Sequence, residues 1–173
     1  MQPIWKKINL AIAIINLIIG FGISYFLVQL SIQLSNYSIE LAAKNEISEI
    51  HSTYFYLFLH HQSQLLTSIL LIISPIFILK EKRLGWIFSY SCWVILTLNI
   101  TKTIFFRIIE VTKSNIYPDY WLQIYGGIGF LLSWSVLVLL STKPIRILNK
   151  VNRKSWYLSL GLFLILYLMK QFL

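Results

Sequence analysis

From Ile8 to Leu34 the chain carries no charged side chain, and as a helix that run would be about 40 Å long at about 1.5 Å of rise per residue. A stretch of that length and polarity has few environments open to it. A hydrocarbon core of roughly 30 Å accepts it, and there the backbone must satisfy its own hydrogen bonds, which makes it a helix. A basic start, Met1–Lys7, followed by an apolar run also describes a secretory leader. This run, however, is longer than a leader's apolar region and no Ala-x-Ala cleavage site follows. It is read as a permanent first span of about 8–34, with the surplus tilting or protruding at Gln29, Gln33 and Ser35.

Four more apolar runs follow, at about 64–79, 86–106, 120–140 and 156–169. The second is short for a crossing and holds Pro75, which predicts a kink or a recruited extra turn. The fourth begins after Tyr117-Pro118-Asp119, with proline and a carboxylate where a helix start favours them. With 57% hydrophobic and 12% charged residues and a mean hydropathy of +0.72, a water-soluble globule would lack polar surface. No linker, low-complexity tract or internal repeat divides the chain. The expected fold is all-α, a single membrane domain over 1–173 with about five spans.

Orientation follows from the connections. The segment Lys143–Lys154 holds five of the fifteen basic residues and no acid. Together with Lys6, Lys7, Lys80, Lys82 and Arg83 it forms the more basic side, which is the cytoplasmic one. The N-terminus is then cytoplasmic, the C-terminus outside, and the localisation the cytoplasmic (inner) membrane. Pro144 can open a short amphipathic helix in this hinge, and its cations would attract anionic lipid headgroups. The net charge of +9 is gathered at span ends, not on a groove-reading helix, so nucleic acid is not the expected partner. Trp5, Trp86, Trp121 and Trp156 fall at span ends and are expected as interfacial aromatics.

The outer segment 36–62 collects Glu46, Glu49, His51, His60 and His61, all of them metal-ligand types. On one helix Glu49 and His60 would share a face but stand roughly 16 Å apart, so no metal site is expected and no cofactor is called for. In the third span Asn99, Lys102, Thr103, Phe106 and Glu110 lie along one stripe at 3.6 residues per turn. Lys102 either snorkels to the headgroups or pairs with Glu46, Glu49 or Glu110 around an outward-facing polar pocket. Such a pocket would gather Glu46, Glu49, His60, His61, Asn99, Lys102 and Glu110.

Small residues mark close helix contacts: Gly20 and Ser24 with Asn16 in the first span, and Gly126, Gly129 and Ser133 in the fourth. Cys92, the single cysteine, lies inside a span and is expected to pack, not to react. The Gly126–Gly129 cluster lacks the strand, lysine and serine of a phosphate loop. No Ser/His/Asp set and no His-Glu-x-x-His occurs, and no acid sits near the middle of a span. The leading expectation is therefore an accessory or interaction component of a membrane complex, with a membrane-protein partner. A small-molecule transporter or its binding subunit stands second, and a membrane-embedded enzyme using outer His and Glu third.

Overall fold

The computed structural model describes residues 3–43, 53–114 and 120–171, with side chains over 3–37, 61–109 and 124–169. The described residues form the helices α1 (Pro3–Ala43), α2 (Thr53–Leu79), α3 (Arg83–Ser114), α4 (Tyr120–Ser141), α5 (Lys143–Leu148) and α6 (Arg153–Gln171), with short turns between α2 and α3 and on either side of α5. Four of them, α1 to α4, contain stretches long and apolar enough to cross a membrane. Their outward faces agree, since Phe21, Tyr25 and Phe26 of α1 and Tyr125, Leu131 and Val138 of α4 are all more than half exposed. In water such a surface would aggregate, whereas in hydrocarbon it is simply solvated.

Three helices exceed one bilayer. At about 1.5 Å per residue α1 is roughly 60 Å long and α3 roughly 48 Å, and α2 continues through Gln62 back to Thr53. Residues 53–62 are thus helical and continuous with the apolar run at about 64–79. The α1–α2 and α2–α3 pairs pack along their lengths, while α3 also contacts α4 and α6, and α6 reaches α2. The core lies where these meet, around Ile12, Leu71, Ile78, Trp86, Trp93, Ile95 and Leu166.

Glycine sets the closest approach. At Gly20 an added Cβ would stand 2.8 Å from Ile72 Cγ1 and 3.1 Å from the Ser68 carbonyl oxygen, so α1 and α2 touch nearly backbone to backbone. Gly85 is tighter, with an added Cβ 2.4 Å from the Ile78 amide nitrogen, which lets α3 fold straight back on α2. The α2 C-terminus closes with the Glu81 amide on the Ile78 carbonyl and the Lys82 amide on the Phe77 carbonyl. The α5 C-terminus repeats this, with Lys150 on Ile147 and Val151 on Arg146. Both are the paired bonds of a helix stop with one left-handed residue, filled here by Glu81 (φ 51°) and Lys150 (φ 53°), not by glycine.

Helix ends need donors as well as room. Leu140 lies in the last turn of α4, where carbonyls have no intrahelical partner, and Trp86 Nε1 donates to its oxygen at 2.8 Å. Trp86 does sit at a span end, yet its ring is fully buried, stacked on Tyr90 and edge-on to Trp156. The expectation of a lipid-facing aromatic fails for it, because an unpaired carbonyl inside the bundle needs a donor more than the headgroups need an indole.

Candidate functional site

Polar side chains inside an apolar bundle require partners, and here most of those partners lie on a neighbouring helix. Asn16, fully buried in α1, donates through Nδ2 to Ser74 Oγ of α2 and to Ser89 Oγ of α3, each at 2.8 Å. Its Oδ1 accepts from Trp93 Nε1 at 2.7 Å. The indole can only donate, which fixes the amide's orientation. Ser74 passes its own proton to the Leu71 carbonyl at 3.1 Å, the oxygen that Pro75, lacking an N–H, leaves without its helical donor. One asparagine thus ties three helices and offsets the proline.

Further bonds tie the remaining elements. Ser63 Oγ of α2 donates to the Leu166 carbonyl of α6 at 2.7 Å, and Ser91 Oγ of α3 donates to the Ser159 carbonyl at 2.8 Å. Cys92 is buried and its thiol points at the Thr67 carbonyl 3.7 Å away, a packing role.

At one end of the bundle Asn9 Nδ2 donates to the Ile78 carbonyl at 3.2 Å, and Asn149 Nδ2 donates to Asn9 Oδ1 at 3.0 Å. These bonds, the Trp86–Leu140 bond and a Lys6–Glu81 ion pair at 3.4 Å bring the start of α1, the α2–α3 turn, the end of α4, α5 and the start of α6 together. That end collects Lys6, Lys7, Lys80, Lys82, Arg83, Lys143, Arg146, Lys150, Arg153 and Lys154. Arg146 lies over the Trp156 ring, 5.8 Å from its centroid, and its Nε has no hydrogen-bond partner among the described residues.

At the opposite half, above the Asn16–Trp93 contact, a cavity of about 480 Å³ lies between α1 and α3 and is also lined by α2. Ile18, Ile23 and Phe26 of α1 face Ile95 and Leu96 of α3 across it, with Gln64 and Asn99 as its polar rim. Gly22 keeps the wall low, since a Cβ there would meet nothing within 4 Å. Gln64 is held from behind, its side-chain amide bonded to His61 Nδ1 at 2.7 Å.

Of the residues singled out in the sequence, Asn99 enters this cavity and His61 stands behind its rim. Lys102 is exposed, its ammonium 5.8 Å from the Phe106 ring centroid. Glu46 and Glu49 lie outside the described residues, as do the side chains of His60 and Glu110. Among the described residues no three metal-ligating side chains come together. Gly20 and half-buried Ser24 lie on α1, with Gly20 against α2. Gly126 and Gly129 face α3, where an added Cβ would stand 3.8 Å from Ile104 and from Ile100, and Ser133 is buried on the same stripe. Gly22 and Gln64 were not anticipated. The available signal was Gly22 two positions from Gly20, on a different helix face, where close packing against α2 cannot explain it.

No protein-family model, no curated protein and no solved structure matches this chain.

Proposed function

We propose that the chain is a five-span protein of the cytoplasmic membrane, with its N-terminus and basic end inside and its C-terminus outside. In this reading it acts as an accessory or interaction component of a membrane complex. The observation that carries the proposal is the use made of buried polar groups. Within the spans they bond helix to helix or back to their own helix, as Asn16, Ser63 and Ser91 do, and none of the described acids or bases is buried. A scaffold needs such bonds, whereas catalysis needs a poised ionisable group. The exposed flank of α4, with Tyr125, Leu131 and Trp134, supplies a face for a partner helix.

α6, which begins at Arg153, is the fifth span in this proposal, and its passage beside α2 and α3 supports that. The basic end supports the orientation, and its exposed cations suit anionic headgroups of the inner leaflet. The test is cross-linking in native membranes from a photoreactive residue at Leu131, on the same exposed flank, followed by purification in mild detergent. A single partner at fixed stoichiometry, lost in Trp134→Ala, is the expected result; an uncross-linked monomer would remove the proposal. A second reading, a binding subunit for a small apolar molecule, is favoured by the cavity between Gly22, Gln64 and Asn99.

A further inference from the structure

We propose that the cavity between α1 and α3 holds one acyl chain of an anionic phospholipid, with its phosphate at Lys102. This rests on the reading of the helices as membrane spans and goes beyond it by naming a ligand. Depth is the first argument. Measured along α3 from Arg83, Lys102 stands about 28 Å higher at about 1.5 Å per residue, against a hydrocarbon thickness of roughly 30 Å. Lys102 therefore reaches the far headgroup level, and the cavity residues Ile95 and Asn99 lie about 18 to 24 Å up, within the far leaflet. On α1 the same scale puts Ile18 to Phe26 about 16 to 28 Å above Lys7.

What fills the space follows from its walls. A volume of about 480 Å³ would take on the order of sixteen waters at liquid density, but apolar walls leave them too few partners. Hydrocarbon reaches it laterally, because Ile18 and Phe26 are 64% and 62% exposed and Gly22 raises no barrier. Charge then selects the head. Lys102 and Phe106 continue the Ile95–Asn99 face upward by helical periodicity, and Lys102 forms no ion pair within 4 Å among the described residues. A phosphate at that level meets the exposed Lys102 ammonium about one turn above Asn99, with the amides of Asn99 and Gln64 in the cavity lining below it.

The experiment is native mass spectrometry of the full chain in mild detergent, titrated with phosphatidylglycerol or phosphatidylcholine of the same acyl chains. Anionic lipid also collects at the basic end, so the informative adduct is the one removed by Gly22→Phe and kept by Gly127→Phe, another position where a Cβ meets open space. The expected result is one phosphatidylglycerol per chain lost in Gly22→Phe, with the preference over phosphatidylcholine reduced about fivefold in Lys102→Gln. Should Gly22→Phe fail to fold, Ile18→Trp narrows the same mouth from an exposed position and must show the same loss. Retention of the adduct in both variants overturns the proposal, as does an unchanged headgroup preference in Lys102→Gln or an adduct with the mass of a free fatty acid. Those results leave the membrane reading intact, whereas a chain that stays soluble without detergent ends that reading first.

Discussion

Replacing Asn16 tests whether one buried amide organises the bundle. Asn16→Leu keeps the number and branching of side-chain heavy atoms, so it removes the hydrogen bonds without opening the cavity that Asn16→Ala would add. Three interhelix bonds disappear, those to Ser74 and Ser89 at 2.8 Å and that from Trp93 at 2.7 Å. Interhelix bonds in membranes contribute about 0.6 kcal/mol each on average and up to about 1.7, because chains unfolded in the membrane also find partners. Three of them give about 2 kcal/mol. The Trp93 N–H is left in an apolar interior and can add about 1 kcal/mol or more. The expected loss is thus about 3 kcal/mol, on the order of a hundredfold in the folding equilibrium. The assay is unfolding by sodium dodecyl sulfate in mixed micelles, followed by circular dichroism. A cycle with Trp93→Phe should return a coupling of about 1 kcal/mol. An Asn16→Leu protein within about 0.5 kcal/mol of wild type, or a coupling near zero, would mean that this amide does not organise the bundle.

Two other perturbations test the packing. Gly20→Leu places a Cβ 2.8 Å from Ile72 Cγ1 and must part α1 from α2, so thermal unfolding in detergent should register a loss of about 2 to 3 kcal/mol, with Gly127→Leu near zero as the comparison. Trp86→Phe deprives the Leu140 carbonyl of its 2.8 Å donor. It should cost about 1 to 3 kcal/mol and speed hydrogen exchange of the amides in α5; unchanged stability would mean that oxygen finds water instead.

The run from Ile8 to Leu34 could be read as a membrane-spanning helix because length and polarity leave that segment one stable backbone. The turns could be read too, since Lys80-Glu81-Lys82-Arg83 and Lys143–Lys154 break the apolar pattern where helices end. Partnership is a different matter. That Asn16 finds Ser74, Ser89 and Trp93 depends on the rotation of three helices about their axes, and the α1 pattern is apolar on every side, so no periodicity fixes it. Trp86 and Trp5 carry the same interfacial signature, yet Trp5 is only partly buried against the core while Trp86 is fully buried, because the open carbonyl of Leu140 lies on a helix 54 residues away. The cavity had least signal of all. It depends on a missing side chain at Gly22 and on how α1, α2 and α3 come together around it, a tertiary property. Lys102 was legible as a cation near a boundary, but the opening beneath it was not.

The account depends most on a lipid-embedded bundle whose ten-cation end faces the cytosol. Its most direct test is labelling by a membrane-impermeant maleimide in intact cells, with Cys92→Ala as background and single cysteines at Lys150 and Asn36. With the basic end in the cytosol, Asn36→Cys reacts from outside and Lys150→Cys reacts only after permeabilisation. Lys150→Cys labelled in sealed cells, with Asn36→Cys protected, would contradict it.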